Sequence, residues 1–135
     1  MINGTATHGG TMKRFAVISP LVVIFLLATG FSAADRTAIK QNVDEMVTTI
    51  NNGKAATSYA AHTYTPYVFI MEESGRLLVH PDLKGEYLPE KAAPIYAALQ
   101  QATPGGIWVT YFWKGTQKHT YARKTNKNLT VGSGN

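Results

Sequence analysis

Apolar side chains recur along this chain with two different periods. Ile39, Val43, Met46, Val47 and Ile50 follow one another at spacings of 4, 3, 1 and 3, which places them in one stripe of an amphipathic helix. Asp35 stands where it would cap that helix, and Asn51-Asn52-Gly53 stops it. Residues 54–66 show little period and include Pro66, so a short irregular or helical connection is expected. The pattern then changes. Tyr67-Val68-Phe69-Ile70-Met71 is a β-branched and aromatic run, Glu73-Ser74-Gly75 has turn chemistry, and Arg76-Leu77-Leu78-Val79-His80 runs back as the second strand of a hairpin. Pro81 ends that strand.

Helical spacing returns with Leu88, Ala92, Ile95 and Leu99 at intervals of 4, 3 and 4, with Pro94 near the first turn. Gly105-Gly106 breaks this second helix. Residues 107–114 then alternate around Trp108, Val109, Thr110, Tyr111, Phe112 and Trp113, with aromatic residues on both faces, which predicts a strand buried on both sides. Gly115-Thr116-Gln117 turns the chain into residues 118–123, and Thr125-Asn126-Lys127-Asn128 turns it into Leu129-Thr130-Val131-Gly132. The order is helix, hairpin, helix and three-strand meander. It predicts an α+β fold: an antiparallel sheet of about five strands, a long N-terminal helix and a second, crossing helix.

The first 34 residues stand outside this pattern. Lys13 and Arg14 precede the apolar run Phe15 to Ala28, and Thr29-Gly30-Phe31-Ser32-Ala33-Ala34 follows. Basic, apolar and small segments in that order are the layout of a secretory signal, with cleavage expected between Ala34 and Asp35. The other reading is a retained anchor, since the uncharged stretch from Phe15 to Ala34 has 20 residues and a span needs about 20. The apolar part is shorter than a span and ends in a small-residue site, which favours cleavage. Met12-Lys13-Arg14 is a natural start for such a signal, so translation from Met1 or from Met12 stays open. The chain thus divides into an extension with signal peptide, 1–34, and one domain, 35–135, in a periplasmic or secreted location.

Composition narrows the function. A chain of 135 residues holds one domain, and its 44% hydrophobic and 16% charged residues mark a folded core. The absence of cysteine excludes disulfides, thiolate metal sites, iron–sulfur clusters, covalently attached haem and cysteine nucleophiles. The formal charge of +5 loses Lys13 and Arg14 on cleavage, which leaves 11 basic against 8 acidic residues, or +3. The basic side chains are scattered, so no nucleic-acid partner is expected. A mild positive field favours small anions as ligands.

Several of these segments, in this order, resemble the single Cache domain. They are Tyr67-Val68-Phe69; Gly75-Arg76-Leu77-Leu78-Val79-His80-Pro81; Gly105-Gly106-Ile107-Trp108-Val109-Thr110-Tyr111-Phe112-Trp113; residues 118–121; and Leu129-Thr130-Val131-Gly132-Ser133-Gly134. The resemblance implies a PAS-like extracytoplasmic sensor fold with a pocket for a small ligand, commonly a short organic acid or similar metabolite. Family members usually sit in chemoreceptors, sensor kinases and cyclases, so a role in signal transduction or chemotaxis is implied. This chain stops at Asn135 without a second transmembrane helix, a HAMP linker or an output domain, so a membrane receptor or sensor kinase is the expected partner. Residues 82–90 are shorter than in many relatives, where this region helps to roof the pocket.

A pocket for a small polar ligand needs apolar and aromatic walls with a few convergent polar groups. The candidates are Tyr67, Phe69, His80, Trp108, Tyr111, Trp113, Tyr121 and Arg123. Val109, Tyr111 and Trp113 share one face of their strand and Trp108, Thr110 and Phe112 the other, and which face lines the pocket stays open. His119, Tyr121 and Arg123 share a face of the next strand, where Arg or His beside Tyr would form a carboxylate clamp. The same aromatic residues also suit plain cross-strand packing. His80 is expected first as a hydrogen-bonding anchor of its turn and second as a ligand contact. No catalytic role, cofactor or metal is expected. Glu72 and Glu73 point to opposite faces, Ser58, Ser74 and Ser133 lack a nucleophile context, and His62, His80 and His119 lack ligand spacing. The alternative to a ligand-binding domain is a structural or interaction module of the same fold, acting through its helix or sheet surface, including as a homodimer.

Overall fold

The computed structural model describes residues 31–135. The basic and apolar parts of the predicted export signal lie outside them. No helix among the described residues is long and apolar enough to cross a membrane.

Helix α1 spans Ala33–Asn51. It begins two residues before the expected cap, so Asp35 lies inside the first turn, where its carboxylate faces the positive end of the helix dipole. The expected cleavage point also falls in that turn. The predicted stripe is the buried face: Ile39, Val43, Met46, Val47 and Ile50 are each at most 1% exposed. Each such side chain contributes about 1.5–3 kcal/mol relative to exposure. Two single 3-10 turns, Ala56–Ser58 and Ala61–Thr63, carry the chain to the sheet.

Strands β1 (Val68–Met71) and β2 (Leu77–Val79) form the hairpin. Gly75, at φ +95°, closes its turn below Pro89 and Tyr96, at a place where a Cβ would meet the Pro89 ring at 2.4 Å. The second helical segment divides into α2 (Leu88–Lys91) and α3 (Ala93–Leu99). Ala92 breaks it at φ −159°, ψ 73°, because Pro94 has no N–H to continue the ladder. These helices carry the chain from one edge of the sheet to the other. There β3 (Ile107–Trp113), β4 (Thr116–Lys124) and β5 (Thr130–Gly134) form the meander.

The five strands pair antiparallel in the order β2-β1-β5-β4-β3. The fold is therefore α+β, as the periodicity requires. β5, the last strand, lies at the centre of the sheet, between the first and the fourth. Helix α1 packs on β4 and β5 from one face, and α3 packs on β3 from the other.

One expectation is corrected. β3 is an edge strand and is not buried on both sides: of its seven residues only Val109 is buried, and Phe112 is 67% exposed. Helix α1 covers β4 and β5, and the outer end of β3 extends beyond that cover.

Candidate ligand-binding cleft

A small cleft, partly open to solvent, lies on the sheet face opposite α1. Its lining comes from Tyr67 just before β1, Phe69 on β1, Leu77 on β2, His80 and Leu83 in the following turn, Leu88 of α2, Ile95 and Leu99 of α3, Tyr111 and Trp113 on β3, and Lys118 on β4. The floor is possible because two small residues lie beneath an aromatic ring. Phe69 pairs with Gly132, which pairs in turn with Ala122, and a Cβ on Gly132 would lie 2.3 Å from Phe69 Cζ. With no side chain at that point, the ring rests on the sheet and the space above it stays open.

His80 holds the wall together. Its Nδ1 accepts hydrogen bonds from the backbone N–H groups of Asp82 and Leu83, each at 3.0 Å. The expected turn anchor is thus observed, in a residue that also lines the cleft. With Nδ1 accepting, the neutral imidazole carries its proton on Nε2, an assignment drawn from the bonding pattern. Burial pushes the His80 pKa below its ordinary 6.5, against a smaller upward pull from Asp82. The Tyr67 ring meets the imidazole edge-on with centroids 5.3 Å apart.

The two tyrosines keep their protons. Burial, then the nearby Asp82, raises the Tyr67 phenol, and burial raises Tyr111 more than its hydrogen bond with Thr120 lowers it. Thr120 Oγ1 donates to the Tyr111 hydroxyl at 3.0 Å, which leaves the Tyr111 proton available to a ligand. Lys118 is the cation of the cleft, and no carboxylate lies among the lining residues.

Of the expected site residues, Tyr67, Phe69, His80, Tyr111 and Trp113 meet in this cleft. Trp108, Tyr121 and Arg123 do not. They lie on the other face, against α1, because β3 pairs Trp108 with Tyr121 and side chains alternate along both strands. The expected clamp is instead an anchor for the helix. Arg123 Nη1 donates to Asp44 Oδ1 at 3.0 Å and its Nε to the Pro104 carbonyl at 2.7 Å. The Tyr121 hydroxyl lies 3.2 Å from Asp44 Oδ1 and 3.3 Å from the Gly105 carbonyl. Lys40 completes the cluster at 2.7 Å from Asp44 Oδ2, and Trp108 packs on Tyr121 with ring centroids 5.4 Å apart. His119 contacts Thr110 Oγ1 at 3.3 Å, away from the cleft. Lys118 and Asp44 were not anticipated from sequence: the β3–β4 register decides which face Lys118 takes, and Asp44 acquires its role from Arg123, 79 positions away.

Burial alone would raise the Asp44 carboxyl, but the hydrogen bonds from Lys40 and Arg123 outweigh it and hold the pKa below the ordinary 3.8. The stabilisation is therefore present above about pH 4 and is lost as pH falls through the folded value. Since the Arg123 and Asp44 side chains are 23% and 29% exposed, solvent screening keeps the contribution below about 1 kcal/mol. Asp44→Ala is expected to lower stability by that amount at pH 7. In urea melts its gap to the wild type should narrow toward pH 3, and a gap independent of pH would contradict the ion-pair account.

Among the described residues, no group of three or more His, Asp or Glu side chains is placed to hold a metal ion. Comparison of the chain with family models, with curated proteins and with solved structures gave no match in any of the three.

Proposed function

We propose that this protein is an exported, non-enzymatic ligand-binding domain of the single Cache type, which takes a small organic acid and presents it to a membrane receptor or sensor kinase. The observation that carries the reading is the cleft itself. Apolar and aromatic walls surround Tyr67, His80, Tyr111 and Lys118, a set rich in hydrogen-bond donors with one cation and no acid among the lining residues. That combination suits a carboxylate, which accepts hydrogen bonds and carries the opposite charge. A five-stranded antiparallel sheet with a long helix on one face and a cleft on the other agrees with the fold that the resemblance implies. Export rests on the pattern of residues 13–34 alone.

The test is a thermal-shift series on the full chain with short carboxylates, amino acids, amines and urea-like compounds. A ligand that binds only the folded state stabilises it by about 2.7 kcal/mol at a hundredfold excess over Kd, enough to raise the midpoint by several degrees. Carboxylates should produce that shift, and Lys118→Met should remove most of it. A folded protein that no carboxylate stabilises would defeat the reading. It would favour the interaction module, for which one observation speaks: Phe112 projects, 67% exposed, from the edge strand β3. Such a partner would be sought there, because the apolar stripe of α1 is already buried.

A further inference from the structure

We propose that the cleft selects a monocarboxylate with an apolar alkyl or aryl body and discriminates against dicarboxylates and α-amino acids. This selectivity rests on the reading of the cleft as an organic-acid site and follows from how its charge and its apolar surface are distributed.

Charge sets the head group. Lys118 is the lysine of the lining, and its ammonium makes no ion pair or side-chain hydrogen bond among the described residues. It sits directly across the β3–β4 ladder from Tyr111, whose phenolic proton is free to donate. A second ligand carboxylate would need a second cation. His80 does not supply one, because its Nδ1 already accepts two backbone N–H groups and would lose both on protonation. The ammonium of an amino acid would need an acid within the cleft, and none is among the lining residues; Asp82, whose charge reaches Tyr67 and His80, lies outside the lining on an exposed turn, where water screens it. An unpaired charge in such surroundings is costly.

Shape sets the body. The rest of the lining is apolar: Leu77, Leu83, Leu88, Ile95 and Leu99, together with the Phe69 ring. A two-carbon acid held at Lys118 would leave these side chains uncovered. Each further methylene buried among them should raise affinity about fourfold.

Calorimetric titration of the full chain with matched ligands tests the proposal. Acetate, butyrate, hexanoate and phenylacetate vary the body. Butyrate against succinate adds a carboxylate, and 4-methylpentanoate against leucine adds an ammonium. Affinity should rise about fourfold per methylene from acetate to hexanoate. Succinate and leucine should each bind at least tenfold more weakly than their matched monocarboxylates. Lys118→Met should lose at least tenfold for every acid while Lys118→Arg retains most of the binding, with circular dichroism establishing that both variants fold. Lys118-dependent binding that is flat with chain length, or that favours succinate or leucine, would overturn the selectivity and leave the organic-acid reading standing. A folded protein that binds none of the acids would overturn both.

Discussion

Gly132→Ala is expected to destabilise the protein by about 1–3 kcal/mol, the usual cost of an overpacked core. The added Cβ would stand 2.3 Å from Phe69 Cζ and 2.8 Å from Cε1, well inside van der Waals contact. The ring cannot sink, because Gly132 and its neighbour Ala122 are buried in the central strands. It has to lift into the cleft, so the same methyl group should reduce ligand affinity as well as stability. For a domain of this size the melting midpoint should fall by about 4–8 °C for each kcal/mol. Urea and thermal melts of the single variant check the first part, and titration with a binding carboxylate checks the second. A double-mutant cycle isolates the cause. Phe69→Leu shortens the side chain, so the cost of Gly132→Ala should shrink in that background. An equal cost in both backgrounds would show that the ring is not what the methyl group meets.

His80→Ala should cost about 1–3 kcal/mol, since it leaves the N–H groups of Asp82 and Leu83 without their acceptor and removes part of the cleft wall. His80→Asn should recover most of that loss, because an amide oxygen can take the place of Nδ1. The pH dependence separates the two roles of the imidazole. Its folded pKa is depressed below 6.5, so the unfolded chain binds the proton more readily than the folded protein. The stabilisation is complete above about pH 6.5 and is lost as pH falls through the folded value. The wild type should therefore lose stability between neutral and mildly acidic pH relative to His80→Asn, in which position 80 does not titrate. Parallel pH profiles for the two proteins would rule out His80 as the group responsible.

Much of the fold was legible in the chain. The stripe from Ile39 to Ile50 is the buried face of α1, the 67–80 hairpin forms, and the three-strand meander closes the sheet. Periodicity succeeds for α1, which buries one face, because an apolar face must repeat with the period of its own backbone; β1 is buried throughout and was legible as an unbroken β-branched and aromatic run. The second helix was legible in position but not in continuity, because the pattern carries through Ala92 while Pro94 interrupts the ladder. The exposure of Phe112 was not legible, since an aromatic residue on an edge strand reads the same as one in a core.

The site divides in a similar way, for a reason found in one turn. A three-residue loop at Gly115-Thr116-Gln117 would set Tyr111 across from Tyr121, and those residues would then share the pocket. The actual loop is the two-residue Lys114-Gly115, with φ of 50° and 78°, the positive values required of a type I′ hairpin. Trp113 pairs with Thr116, and Tyr111 meets Lys118. An odd shift in register exchanges the two faces of a strand. Tyr121 and Arg123 therefore turn to Asp44 on α1, and the unanticipated Lys118 turns into the cleft.

What the sequence by itself determined is the set of elements, their order and the buried stripe of α1. These depend on neighbours within a few positions, and local spacing records them. Only the tertiary structure decided which face of β3 and β4 lines the cleft, that Gly132 makes room for Phe69, and that Asp44 takes Arg123 from a strand 79 positions away. Those outcomes depend on register and on contacts between distant segments. A single residue in a turn changes the register, while the pattern of hydrophobic and polar positions stays the same.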